Sequence, residues 1–510
     1  MDALNLKEIR VKEPFKRVTP FGYMGYMSGE RITTDYGKTS PVEDRVVYQI
    51  VTQADFLREY EPSGHRINDP LAYPDKKRKN PETGETYTEY MVRCAFAFQR
   101  IISVKQLTHL CGNDIQFDLT ENKDDKRTNE AFFALRKGWA KKDMEIAWYE
   151  VAKSVKITGD GAFVGYMKGG EFYWKVLSYK NGDTLYPHYD SVTGKLSLFA
   201  REYLDYDADG KVKTSWMEVW DDRLLYRFKR ETTGVKGVIN IIKDKFGIDG
   251  YTLVSKGAHG FNFIPVAYKR ADMGACWSPS QDTIEQYELA FSQLSQNNMA
   301  YAFPIMYFKG DNVNIVGDSM TETIKAITMD KDDDAGFLQK QDASTSFDTQ
   351  LNNLYKLIYE QSFTVTPPEL KSGDLPGVAI KLLYSPAVEY AMKDSQEYNK
   401  LIDDMVDIFK EGYGIEQKKT SQFNTLSIYA WIKPYIHQNM TELVTNLATA
   451  VQNGFLSRQT ASERISEYAV AQEWDRVIKE KKEEQQADLL YELETMAAKP
   501  KEEKTKNKEP

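Results

Sequence analysis

The chain has 510 residues, 41% of them hydrophobic and 28% charged, enough for several buried cores, and a prior of roughly 100–200 residues per domain makes two to four domains the expectation. A formal charge of -9 and a sequence pI near 5.4 argue against a protein that grips nucleic acid, which needs lysines and arginines against the phosphates, yet an acidic wall lets a polyanion slide past. Cys94, Cys111 and Cys276 lie far apart with no CxxC pair, and no apolar signal segment or run of about 18 apolar residues occurs, so disulfide-framework, thiolate-zinc, secreted and membrane-spanning classes are all disfavoured.

In chain order, residues 75–90, DKKRKNPETGETYTEY, are almost wholly polar and read as an exposed loop. From Tyr90 to Phe117 apolar runs mix with helix formers, and Gly112-Asn113 punctuates them as a helix C-cap would. Asn129 is the expected cap of a helix bearing Phe132, Phe133, Leu135 and Trp139, followed by a second helical run with Ile146, Tyr149, Val151 and Val155. VGYMKGGEFYWKVLSY then places strand formers on both sides of Gly169-Gly170, a hairpin signal, and SLFAREYLDY, SWMEVWDDRLLYRF and FIPVAYKR continue the strands.

Ser278, Pro279 and Gln281 spell an N-cap, an N1 proline and the N3 member of a capping box. Ile284, Tyr287, Phe291 and Leu294 follow as one apolar stripe ending at Asn298, and Pro304 limits the helix to about 280–302. A short strand from Ile305 to Phe308 and a polar stretch with Asp332, Asp333 and Asp334 precede a helix over about 348–362, marked by Leu351, Leu354, Leu357 and Ile358. Next comes a Pro- and Gly-containing loop, 364–377, and then helices almost to the end. Tyr398, Leu401, Met405 and Phe409 mark one; Leu443, Leu447 and Val451 mark another closed by Gly454; Ser457 caps a third. The last stretch, 485–510, reads as a charged, fraying and disordered tail.

Chemistry-bearing patterns are weak. Asp205, Asp207, Asp209 and Gly210 open like a calcium loop, but Trp216 stands where the bidentate carboxylate belongs, so a β-turn is preferred. Gly159, Gly161 and Gly165 have the wrong spacing for a dinucleotide loop and follow a helix, which favours a helix-to-hairpin turn. No P-loop, HExxH or GxSxG motif occurs, and His65, His109, His188, His259 and His437 are scattered without a visible acidic partner. The acidic run Lys331 to Asp334 reads as a solvated loop, and the 32 tyrosines as packing and interface residues. No enzyme, cofactor or metal is expected.

The order of several segments resembles the portal proteins of tailed bacteriophages. CGNDIQF after a helix, TGDGAFVGYMKGGEFYWKVLSYKNGDTLYPHYD, FIPVAYKRAD, IEQYELAFSQLSQNNMA, SFTVTPPELKSGDLPGVAIKLLYSPAVEYAMKDSQEYNKLIDDM and GFLSRQTASERISEY each look like a portal segment, together covering about 90–480. Asp114 and Pro376 depart from the family pattern, the latter replacing a common serine before Gly377. The resemblance implies an α+β, multi-domain portal fold: an N-terminal wing over 1–205, a clip with adjoining strands over 206–278 and a stem helix over 279–302. A further wing part over 303–389 and a helical crown over 390–484 complete it.

It implies a homo-oligomeric ring, a dodecamer by expectation, assembled in the host cytoplasm and seated at one capsid vertex. Double-stranded DNA passes through it during packaging and ejection, and the terminase large subunit, major capsid protein, scaffold and head-tail adaptor dock on it. Loop 364–377 would be the DNA-facing tunnel loop, with Pro367, Pro368, Lys371, Ser372, Gly373 and Gly377 as its site residues, and Lys371 forming a ring of positive charge. The alternative is a non-ring virion or cell-surface ligand-binding protein that uses its β-rich 160–270 region; a metal-dependent hydrolase would need clustered ligands.

Overall fold

The computed structural model describes residues 6–18, 48–80, 83–122, 125–206, 209, 212–231, 251–301, the strands within 306–337, 344–366, 377–435, 440–465 and 476–486. The chain divides into two compact units, one of residues 1–369 and 384–435 and another of 370–383 and 436–510. The architecture is α+β, as expected, with helices dominating the C-terminal part.

In the larger unit a short helix α1 (Leu6–Ile9) and strand β1 (Phe15–Val18) precede β2 (Tyr48–Val51), which pairs antiparallel with β1. Helix α2 (Gln53–Tyr60) begins with a true capping box, Thr52 and Asp55 each serving the other's backbone N–H. Residues 76–89 correct the expectation of a loop: β3 (Lys76–Lys79) and β4 (Thr86–Glu89) form a hairpin in register Lys76↔Glu89 through Lys79↔Thr86. Seven of its eight residues are exposed, so no apolar alternation announced it.

Helix α3 (Phe98–Cys111) does stop at Gly112, which is right-handed (φ -75°) and lies so close to Tyr435 that a Cβ would come within 2.7 Å of it. The glycine is there for close approach. Strand β5 (Gln116–Leu119) leads to α4 (Lys126–Lys141), capped by Asp125, whose side chain accepts the Thr128 N–H at 2.9 Å. Asn129 is not the cap; it sits one turn inside. Helix α5 (Met144–Thr158) follows. Phe133, Ile146 and Tyr149 were expected in the apolar faces but lie outside, because the buried stripes are Ala131, Phe132, Leu135 and Trp139 on α4 and Met144, Ala147, Trp148, Val151 and Val155 on α5. One residue off a stripe turns a side chain by about 100°.

Gly159, left-handed at φ 81°, ends α5 and turns into β6 (Asp160–Lys168), which settles the Gly159, Gly161 and Gly165 cluster as a helix-to-hairpin turn. Strand β7 (Glu171–Leu177) returns through Gly169-Gly170, both at positive φ, as a two-residue hairpin requires. Strands β8 (Asp183–Tyr189), β9 (Leu196–Tyr206), β10 (Val212–Trp220), β11 (Leu224–Glu231) and β12 (Thr252–Ala258) form an antiparallel five-stranded sheet, and β13 (Val266–Arg270) joins β6 in a three-stranded one. The two sheets share a core of Val164, Leu177, Phe199, Trp220 and Val266; on its other face the larger sheet covers Leu6 and Ile9 of α1.

The expected stem helix corresponds to α6 (Gln281–Tyr301). Its capping box is absent. Trp277 is wholly buried with Nε1 on Glu59, residues 278–280 form a 3₁₀ turn, the Ser278 hydroxyl has no hydrogen-bond partner among the described residues, and the Gln281 side chain is drawn to Gln99 and Glu285 instead. A polar stripe also accompanies the apolar one. Glu288, Ser292 and Gln296 accept the N–H groups of Phe96 (2.8 Å), Cys94 (3.0 Å) and Val92 (2.8 Å). Four helical residues rise about 6.0 Å and two extended residues about 6.7 Å, so the helix can satisfy every second donor of an extended segment that has no strand partner among the described residues.

Between α6 and α7 (Ser344–Gln361) lie β14 (Met306–Lys309), paired with β17 (Asp334–Phe337), and β15 (Asn314–Asp318), paired with β16 (Thr323–Thr328). Helices α6 and α7 run antiparallel, with Ser280 bonded to Ile358 and Tyr287 against Tyr355. Helix α8 (Gly377–Gln417) is continuous for 41 residues, including Pro386 and the 389/390 point at which wing and crown were expected to divide. Its Tyr398, Leu401, Met405 and Phe409 join α4, α5 and the three-stranded sheet in the principal core of the larger unit. Each such side chain adds about 1.5–3 kcal/mol on burial. Gly412 lets the sheet approach this helix: a Cβ there would lie 2.2 Å from Phe172. A short helix α9 (Thr420–Asn424) and β18 (Ile428–Trp431), paired with β5, close this unit.

In the smaller unit α10 (Met440–Gln452) ends at left-handed Gly454, and Ser457 Oγ accepts the Thr460 N–H at 3.1 Å to cap α11 (Arg458–Ile465), both as the sequence indicates. The charged tail 485–510 lies almost wholly outside the described residues.

Candidate functional site

The loop singled out by sequence starts where α7 ends, and its root is closely held. Ser362 is buried, and its Oγ donates to Ile358 O (2.8 Å) and lies 2.7 Å from Thr364 Oγ1. Phe363 adopts φ 52°, a left-handed conformation that costs on the order of 1–3 kcal/mol for a bulky residue unless the surroundings impose it. Here they do: Thr364 N returns to Tyr359 O at 2.9 Å, and the Phe363 ring stacks on Tyr390 of α8 at 5.0 Å and 11°.

Two further helices hold the root. From α6, Thr283 Oγ1 donates to Gln361 Oε1 at 2.8 Å. From α3, Gln106 Nε2 donates to Ser362 O at 2.8 Å, and Lys105 Nζ donates to Val365 O while sitting 4.8 Å over the Tyr359 ring. Burial pulls the Lys105 ammonium below its ordinary value, which is the electrostatic cost of this position.

Behind Gln106 lies a buried ion pair. Lys156 of α5 donates to Gln106 Oε1 at 3.0 Å and to Asp394 of α8, and its ammonium lies 5.0 Å over the Tyr390 ring. Burial pushes the Asp394 carboxyl up from its usual range, and the charge and hydrogen bond of Lys156 act against that push. Asp394, Lys156, Gln106 and the Ser362 carbonyl thus form one polar chain from α8 through α5 and α3 to the loop root. Its chemistry is mechanical: it fixes where the loop departs.

Of the six residues expected to face DNA, Pro367, Pro368, Lys371, Ser372 and Gly373 lie outside the described residues. Gly377 is the first residue of α8. The residues that sequence reasoning missed are Lys105, Gln106, Thr283, Ser362, Lys156 and Asp394. One signal was available, since Lys156 interrupts the apolar run of α5 immediately after Val151, Ala152 and Val155.

The other candidate chemistries come to packing. His109, His188 and His259 each bond a backbone carbonyl, of Tyr435, Ile9 and Asp221. His65 has the acidic partner that the sequence did not reveal, Glu288 at 2.7 Å. His437, Asp207, Gly210 and Lys331 lie outside the described residues, and among the described residues no group of three or more His, Cys, Asp or Glu side chains could hold a metal ion. A cleft of about 960 Å³ opens between the 187–196 hairpin, strand β13 and α8, with Lys12, Lys269 and Glu397 among its charged lining and Ile264 and Ile408 among its apolar lining. Burial pushes the Asp404 carboxyl in it up to about 6.

The family described as "Phage portal protein, SPP1 Gp6-like" matches residues 76–487. Among solved structures, a chain in "Neck of empty GTA particle computed with C6 symmetry" is 13% identical, with a TM-score of 0.38 over 72% of this chain and 88% of that one. A chain in "Virion of native gene transfer agent (GTA) particle" is 11% identical, with a TM-score of 0.40 over 83% and 95%. No curated protein matches the chain.

Proposed function

The chain belongs to the SPP1 Gp6-like phage portal proteins, and from that premise we propose that it forms a ring, a dodecamer by expectation, at one capsid vertex and conducts double-stranded DNA. As a portal it is a structural, ring-forming component of a virion rather than a catalyst. The finer roles are the proposal: passage for DNA in packaging and ejection, and docking of the terminase large subunit, scaffold, major capsid protein and head-tail adaptor during assembly in the host cytoplasm. A cyclic ring needs two different faces of each subunit to meet.

In this reading the stem is the antiparallel pair α6 and α7, and the clip is the strand-bearing 306–337 between them rather than 206–278. The support is connectivity: that segment leaves through one helix and returns through the other, whereas β8 to β11 share cores with α1 and with the three-stranded sheet. The wing takes the remainder up to 435, and the crown takes 436–484. An isolated 160–270 ligand-binding module is disfavoured because Phe163, Phe172 and Phe261 of that stretch lie in the core completed by α8.

The observation that carries the loop assignment is its root. Side chains of α3 and α6, with Phe363 forced left-handed, hold the chain up to Val365, next to the start of 364–377. Lys371 then meets passing phosphates as a weak, repeated contact that permits sliding. Lys371→Ala lowers packaged or retained DNA, and Lys371→Glu lowers it further. Wild-type DNA content in both particles would exclude the DNA-facing role, and native mass spectrometry showing only monomer at high concentration would exclude the ring.

A further inference from the structure

We propose that His65 is held as an imidazolium that latches the first stem helix, α6, to the elbow at 53–68 and to the extended segment 92–96, and that this latch opens as pH rises. His65 lies in the turn after α2, and both its ring and the Glu288 carboxylate are almost wholly buried, at 2% and 1% side-chain exposure. Nδ1 is 2.7 Å from Glu288 Oε1, and Nε2 is 2.7 Å from the carbonyl oxygen of Glu59.

A carbonyl can only accept. Glu288 Oε1 already accepts the Phe96 N–H at 2.8 Å, so it is the acceptor atom of its carboxylate as well. Two acceptors require two donors, and a histidine ring supplies two only when doubly protonated. A neutral ring would set a lone pair against one of these oxygens in a site that water does not reach.

The surrounding charges favour the cation. Arg17 of β1 is committed to Glu59 of α2 through two bonds of 2.8 Å, and Trp277 Nε1 donates to the same carboxylate at 2.9 Å. In the elbow Arg66 pairs with Glu285 of α6 at 3.8 Å, and Glu61 pairs with Arg100 of α3. Arg93, from the docked segment, pairs with Asp75 at 2.8 Å. Asp282 of α6 lies near Arg17 and Arg66, and Tyr73 near Glu285 and Glu288. The nearby arginines are thus matched by Glu59, Glu285, Asp75 and Glu61, leaving Glu288 to the histidine.

Burial alone would lower the His65 pKa. The hydrogen bond and charge of Glu288, then the carbonyl and charge of Glu59, outweigh burial and raise it. A raised histidine contributes fully below its unfolded value of about 6.5 and loses that contribution as pH climbs through the folded value. Because Glu288 is the first of the three acceptors that dock 92–96 on the helix, losing its anchor frees the end of that zipper.

The test is hydrogen–deuterium exchange on the full chain between pH 6 and 9, normalised for the intrinsic pH dependence of amide exchange and followed in peptides covering 62–68, 92–97 and 284–296. In the wild type these peptides lose protection several-fold as pH rises, while the α5 peptide does not. His65→Gln makes them fast and flat with pH. Glu288→Gln, whose carboxamide oxygen still accepts from Phe96, moves the step to lower pH and decides the question alone if His65→Gln does not fold. A wild-type profile flat with pH, or an unmoved step in either variant, overturns the latch. The readout does not require a ring or DNA, so it stands apart from the portal reading.

Discussion

Replacing Asp394 with alanine removes the counter-ion of Lys156 inside the larger unit, where both side chains are 6% exposed. Breaking one side of a buried pair costs about 3–5 kcal/mol. The larger unit spans about 420 residues, so at about 2 cal/mol/K per residue each kcal/mol is about 1 °C, and Asp394→Ala lowers its thermal midpoint by roughly 3–6 °C. The damage also travels along the polar chain. Lys156 no longer steadies Gln106, Gln106 no longer steadies the Ser362 carbonyl, and exchange accelerates in a peptide covering 359–366.

Lys156→Met with Asp394→Leu removes both charges and leaves only Gln106 short of a donor, so it recovers most of the loss and stays within about 1–2 kcal/mol of wild type. Calorimetry on the four proteins of this cycle, with exchange on the same samples, is the assay. A single variant within 1 °C of wild type, or a double variant as unstable as the single, would refute the assignment of Lys156 and Asp394 as a buried ionic support of the loop root.

Two further perturbations address packing and pH. Gly412→Ala places a Cβ within 2.2 Å of Phe172 and destabilises the larger unit by about 1–3 kcal/mol, read as a denaturation midpoint shift at constant m-value. Asp404 is pushed up to about 6 chiefly by burial, so its penalty develops as pH rises from about 4 to about 6; two units bound it at about 3 kcal/mol, and solvent screening leaves about 1. Asp404→Asn therefore raises the melting temperature at pH 7.5 and leaves it unchanged near pH 4, and equal effects at both would contradict the assignment.

Local signals that depend on a neighbouring residue or two were legible. Gly169-Gly170 announced its hairpin, Gly454 and Ser457 ended one helix and capped the next, and Leu401, Met405 and Phe409 marked the buried face of α8. The same kind of inference failed when competitors lay within a turn of each other. Asp125 outcompeted Asn129 as a cap, and the burial of Trp277 overrode the Ser278 capping box, because a large apolar side chain gains more from the core than a hydroxyl gains from a cap. The hairpin at 76–89 was illegible because a ribbon exposed on both faces has no apolar alternation.

The sequence by itself determined the class and the family and marked the break between α7 and α8 to which loop 364–377 was assigned, since composition, turn residues and motif order are local or sequential properties of the chain. Only the tertiary structure decided what holds that loop. Lys105, Gln106, Thr283, Lys156 and Asp394 come from four helices and act directly or through Gln106 on residues 361–365, and His65 meets Glu288 across 223 positions. Low-dielectric burial makes such polar partners obligatory, but it acts on distance in space, which no local pattern in the chain encodes.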